Sequence, residues 1–240
     1  MTVAGWVIGL AIVLAFSGAV VQGVIGFGMG VLAIPILSLA DPGLVPVAGI
    51  LGSVAMPVMA LIDERRYLDW RVVAWVVLGF LPATALGVWI VKVLPTQTLQ
   101  AAIAGVVLVM VALSLVRVSV PNNARTLFVS GLISGTSGTA AGIGGPPVAI
   151  VLANEPPPMV RATLATTFIF GTGISLTGLA LGGVMTTDAV GVGLIMIPAT
   201  ILGMLVARQL RGRLNQQGFR LGVLVLSSVA AVTLLGQALL

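Results

Sequence analysis

The stretch Gln22-Gly23-Val24-Ile25-Gly26-Phe27-Gly28-Met29-Gly30 has a counterpart at Ser137-Gly138-Thr139-Ala140-Ala141-Gly142-Ile143-Gly144-Gly145-Pro146-Pro147, and Gly26-Phe27-Gly28 falls on Gly142-Ile143-Gly144 at an offset of 116 residues. Each is a glycine-rich break between apolar runs. The same offset carries Leu81-Pro82-Ala83-Thr84-Ala85-Leu86-Gly87 onto Ile197-Pro198-Ala199-Thr200-Ile201-Leu202-Gly203, and Ala33-Ile34 onto Ala149-Ile150. Ser17-Gly18 matches Ser134-Gly135 once one residue is inserted. An offset shared by several short matches, and close to half the chain, reads as an internal repeat.

The solvent around this repeat follows from composition. Of 240 residues 59% are hydrophobic and 7% charged, with a mean hydropathy of +1.22. A soluble domain carries about 25% charged residues. Six acids and eleven bases cannot cover a globular surface, so most of the exterior faces lipid. That excludes a soluble enzyme, a nucleic-acid-binding domain and a disordered chain. It also assigns the net charge of +5 to topology and lipid headgroups. With no cysteine and no histidine there is no thiolate, disulfide or imidazole chemistry. The start, Met1-Thr2-Val3-Ala4-Gly5-Trp6, lacks a basic n-region and reads as leading into an uncleaved first segment.

Ten hydrophobic segments follow, near Val3–Gln22, Gly26–Ala40, Gly43–Ile62, Val72–Val91, Leu99–Val116, Thr126–Ala140, Gly142–Asn154, Ala162–Leu181, Ala189–Ala207 and Leu221–Gln237. Six are long enough for the roughly 20 residues of a helical crossing; the second, sixth and seventh are short. Alternating them across a membrane places Arg65, Arg66, Arg71, Arg117, Arg125, Arg161, Arg208, Arg211, Arg213 and Arg220 on one side and leaves Lys92 on the other. The positive-inside rule makes the arginine side cytoplasmic and both termini external. Between Arg125 and Glu155 lie 29 uncharged residues, about 43 Å as helix, which suits a re-entrant hairpin better than two crossings. The fold class expected is therefore an all-α polytopic membrane protein, with two inverted five-segment repeats, 1–118 and 119–240, and a broken or re-entrant Gly-rich hairpin in each half. Five segments per half invert the second half, an arrangement that puts a transporter's substrate near the midplane where the repeats meet.

Glycine tips at membrane depth have a definite chemistry. Backbone freed from a helix survives there only against protein or a wet cavity. A tip that opens a helix presents N–H groups and the positive end of the helix dipole. The candidate site is a small-oxyanion site built from Gln22, Gly26, Phe27, Gly28, Ser137, Thr139, Gly142, Ile143, Gly144 and Gly145. Pro146 and Pro147 suit a first helical turn. The competing reading makes Gly26-xxx-Gly30, Gly131-xxx-Gly135 and Gly138-xxx-Gly142 close-packing faces. Thr84 and Thr200 are expected to bond back to their own helices and stay outside the site. Asp41, Glu155 and Asp188 fall at segment ends, as solvated or capping acids. Arg161 is a topology anchor or an attractor for anions at the cytoplasmic mouth.

The paired regions Gly26-Phe27-Gly28-Met29-Gly30 through Pro35, and Ser134-Gly135 through Gly142-Ile143-Gly144-Gly145-Pro146, resemble the two signature regions of the TauE/SafE sulfite-exporter family. Length, hydropathy, repeat and arginine loops fit it across nearly the whole chain. The resemblance implies an inner-membrane permease for sulfur-containing anions such as sulfite, sulfoacetate or taurine-derived sulfonates, with export the commoner direction. No cofactor or metal is implied. The partners are the anionic substrate and membrane lipid, with no nucleic acid, and self-association into a homo-oligomer is left open. A passive anion channel on the same tips is the alternative. Gly135-Thr136-Ser137-Gly138 matches the GxSG pattern of intramembrane rhomboid proteases, but that chemistry needs a base that a histidine-free chain lacks.

Overall fold

The computed structural model describes residues 3–25, 28–115, 120–210 and 216–239. Among them the chain forms eleven α-helices and no strand. These are α1 (Gly5–Ile25), α2 (Met29–Ala40), α3 (Val47–Gly52), α4 (Ala55–Glu64), α5 (Trp70–Val93), α6 (Thr96–Leu115), α7 (Ala124–Ala141), α8 (Gly145–Val151), α9 (Pro157–Leu181), α10 (Thr187–Leu210) and α11 (Gln216–Leu239). Six of them, α1, α5, α6, α9, α10 and α11, are long and apolar enough to cross a membrane.

The shorter helices are the informative ones. The 12 residues of α2 and the 7 of α8 make about 18 and 10 Å of helix, too little to cross a hydrocarbon core of about 30 Å. The apolar run Gly43–Ile62, expected as one segment, breaks at Ser53 into α3 and α4. Its broken turn is well partnered. The Ser53 N–H reaches the carbonyls of Gly49 and Ile50 at 3.2 and 3.3 Å, and the Ser53 hydroxyl donates to Ile50 O at 2.8 Å. Thr200 Oγ1, from α10, donates to Gly52 O at 2.8 Å. Thr200 thus bonds across to a neighbouring helix rather than back to its own. Without that donor a carbonyl freed by the break would be buried and unpaired.

Lipid gives helices little hydrophobic reason to associate, so close approach through small residues has to hold them. α5 packs along α7, and α1 along α10. A Cβ built on Gly131 would collide with Val76 O, and one on Gly79 with Phe128 O. On the other pair, a Cβ on Gly203 would collide with Phe16 O. For Gly131 and Gly135 the close-packing reading holds. α3 and α4 pack on α10 and α9, α9 on α5, and α6 on α11. One apolar cluster joins α1, α2, α3, α6, α10 and α11; a second, smaller one joins α5, α7, α8 and α9.

The exterior is apolar. Leu81, Leu202, Val225, Val229 and Val232 all stand exposed, an untenable surface in water. On α5 the exposed Trp70 and Trp89 are nineteen residues apart, about 29 Å along the helix. That is the separation of the two interfacial belts that tryptophan favours.

Candidate functional site

At the first tip α1 ends at Ile25, and Gln22 lies in its last turn. Gly26 and Phe27 fall outside the described residues. Gly28 then caps α2 with φ 128°, a backbone conformation that favours glycine. The Gln22 carbonyl oxygen accepts from the Met29 N–H at 3.3 Å. Gln22 therefore satisfies one of the N–H groups a helix start leaves over, from the preceding helix.

The second tip is made differently. α7 ends on Gly142 in the left-handed conformation, φ 67°, with its N–H on Gly138 O at 2.9 Å and the Ile143 N–H on Ser137 O at 3.3 Å. This is a Schellman-type ending. It occupies the N–H groups of Gly142 and Ile143 in closing the helix. Gly144 caps α8, whose first residues are Gly145, Pro146 and Pro147. The prolines have no N–H, so the backbone donors left at this helix start are those of Gly144 and Gly145.

The tips meet. A Cβ built on Gly30 would lie 2.6 Å from Gly142 O and 3.3 Å from Ile143 Cγ1. Beside this contact is a cavity of about 120 Å³, well above the roughly 10–15 Å³ needed for one water. Gln22, Gly28, Gly142, Ile143, Gly144 and Gly145 line it. Ser137 and Thr139 do not. The Ser137 hydroxyl donates back to Ile133 O at 2.8 Å. Thr139 is fully buried, sharing a 2.7 Å bond with Ser175 Oγ and lying 3.5 Å from Thr84 Oγ1. Thr84 too is turned to a neighbouring helix.

The walls add residues that the sequence reading missed. Ser53, Met56 and Pro57 come from the broken α3–α4 segment, Phe80 from α5, Ser134 and Gly138 from α7, and Phe168, Thr172 and Ser175 from α9. Ser134 was within reach of helical periodicity, because residues four apart share a face and Ser134, Gly138 and Gly142 form such a row. Its buried hydroxyl has no hydrogen-bond partner among the described residues. The described lining residues are all uncharged. Its polar groups are backbone amides, hydroxyls and the Gln22 side chain, set among aromatic and aliphatic walls.

The sulfite exporter TauE/SafE family model matches residues 10–234. The chain belongs to that family. A curated relative from Cupriavidus necator, named "Probable sulfite/organosulfonate exporter TauE", is 27% identical over 206 residues, covering 80% of each chain. No solved structure gives a significant match. The family resemblance carried by the glycine signatures is borne out. As a TauE/SafE protein the chain is a transmembrane transport protein and not an enzyme.

The acids sit where ends of segments were expected. Asp41 accepts from the Gly43 N–H at 3.0 Å, and Glu155 accepts from the Asn122 amide at 2.8 Å. Arg161, in the first turns of α9, makes a forked contact with Glu64, with Nε 2.8 and 2.9 Å from the two carboxylate oxygens.

Proposed function

We propose that this protein is a secondary transporter, an exporter of small sulfur-containing anions such as sulfite, sulfoacetate or other organosulfonates. The anion binds between the tips at Gly28 and at Gly144–Gly145, and the pseudo-symmetric halves 1–118 and 119–240 rock around it. The observation that carries this reading is the convergence of the two glycine signatures on one cavity whose described lining is uncharged. Oxyanions suit such a place, because helix-start N–H groups favour negative oxygens. The orphaned Ser134 hydroxyl supplies a further donor. Gln22 tunes the first tip by holding the Met29 N–H. Ser137 and Thr139 act at one remove, through the α7 ending and through Ser175.

A two-fold repeat of the halves has support in the packing, and five segments per half would invert it. Gly28 and Gly144, 116 residues apart, both cap the short helix of their half. Under that correspondence α5 on α7 exchanges with α1 on α10, α5 on α9 with α10 on α3, and α6 on α8 with α11 on α2. The protein lies in the inner membrane with both termini outside and its arginine-rich loops in the cytoplasm, where the positive-inside rule puts them.

A passive channel on the same tips is the second reading, favoured by the lack of any titratable side chain among the described lining residues. Flux of labelled sulfite and a short sulfonate through proteoliposomes of the purified protein separates the two. Saturable flux stimulated by trans substrate is expected. Flux linear in concentration and blind to trans substrate would favour the channel, and no flux of either anion would remove the substrate class.

A further inference from the structure

Two helices lead from the walls of the cavity to an ion pair. From Pro57 in its wall, α4 runs seven residues to Glu64; from Phe168 in the opposite wall, α9 runs seven residues back to Arg161. Both paths are about 10 Å of helix. α4 and α9 pack together over this stretch. At its end Arg161 grips Glu64 through both Nε and Nη2. A second tie crosses nearby, where the Asp69 N–H donates to Thr163 Oγ1 at 3.2 Å. This is the end that carries Arg65, Arg66 and Arg71. The Glu64 side chain is 16% exposed and that of Arg161 40%, so the pair sits at the rim rather than in the core.

A guanidinium fork matches a carboxylate because two parallel N–H donors meet two coplanar oxygens. Sulfite and sulfonate groups present the same kind of oxygen pair. Building on the transport reading above, we propose that Glu64–Arg161 is the gate at the arginine-rich mouth of the cavity. Glu64 occupies the Arg161 fork when the gate is shut. When it opens, Arg161 is the cation that first meets the substrate anion, so the anion and Glu64 compete for one fork. Both side chains keep some exposure at the rim, so each can be solvated when the contact breaks in every cycle.

The chain has no cysteine, so a single Ser53→Cys reporter in the cavity wall can be read without background. An impermeant maleimide, applied to each side of the membrane in turn with no substrate present, measures access to it. Both Glu64→Gln and Arg161→Gln should raise the labelling rate from the arginine-rich side at least tenfold, while Glu64→Asp leaves it near the starting rate. In proteoliposomes Glu64→Gln should lower the half-saturating sulfite concentration several-fold, and Arg161→Gln should cut sulfite flux at least tenfold. Unchanged labelling in both glutamine variants would overturn the gate. Faster labelling with normal sulfite flux in Arg161→Gln would overturn the anion's encounter with Arg161. If the unaltered chain moves no sulfite, the transport reading fails, and the labelling rates still decide the gate.

Discussion

The two glycine tips occupy matching places and solve the same problem in different ways. At the first, Gly28 takes φ 128° and the Met29 N–H is already held by Gln22. At the second, α7 spends the N–H groups of Gly142 and Ile143 on its own ending, and prolines remove two more donors from α8. One tip is capped by a side chain; the other leaves the N–H groups of Gly144 and Gly145 at a helix start that continues in two prolines. The repeat thus keeps the position of the tip but not its backbone donors. On the transport mechanism proposed above, the second tip holds the anion and the first adjusts to it.

Leucine at either tip tests that division most severely. Gly144→Leu places a side chain where even a Cβ would lie 2.7 Å from Ser134 O, and sulfite flux should fall about a hundredfold, a loss of about 2.8 kcal/mol. Gly28→Leu should do the same, with a backbone cost of about 1–2 kcal/mol on top, and gel filtration of both variants checks that they stay folded. Normal transport by both would remove the site; normal transport by Gly28→Leu alone would assign it wholly to the second tip. Next comes Gly30→Ala, which wedges a methyl against Gly142 O and should cut flux about tenfold by parting the tips. Gly173→Ala, with nothing within 4 Å of its Cβ, is the matched control and should leave flux unchanged. Gln22→Ala should act more gently, shifting half-saturation about threefold while removing a cap of about 0.5–2 kcal/mol, read together from flux and thermal unfolding.

The paired threonines extend the comparison to stability. Thr200 holds Gly52 O at 2.8 Å, whereas Thr84 makes a 3.5 Å contact with Thr139. Thr200→Val should lower stability by about 1–3 kcal/mol by orphaning a buried carbonyl, and Thr84→Val by less. Equal losses in thermal unfolding would mean that the α3–α4 break does not depend on Thr200.

Segments and tips were legible in the sequence because hydropathy and the glycine offset need no tertiary information. The break in Gly43–Ile62 was not, since Gly49, Gly52 and Ser53 are ordinary residues in such a helix until Thr200 supplies a donor from α10. Side-chain direction explains the rest. Ser137 and Thr139 are close to the tip in sequence but lie off the row formed by Ser134, Gly138 and Gly142, so chain proximity to the tip picked the wrong hydroxyls for the wall. The α9 contributors, Phe168, Thr172 and Ser175, carry no local mark of their role. That helix has hydroxyls on several faces, and only its packing against α4 and α5 decides which of them look into the cavity.

The most direct measurement is the position of a bound anion. Crystals of the purified protein grown with selenite, the heavier analogue of sulfite, would reveal it by anomalous scattering. A peak is expected between Gly28 and the N–H groups of Gly144 and Gly145, within hydrogen-bonding reach of Ser134. A peak confined to the Arg161 mouth or to the lipid-facing grooves, with none between the tips, would contradict it.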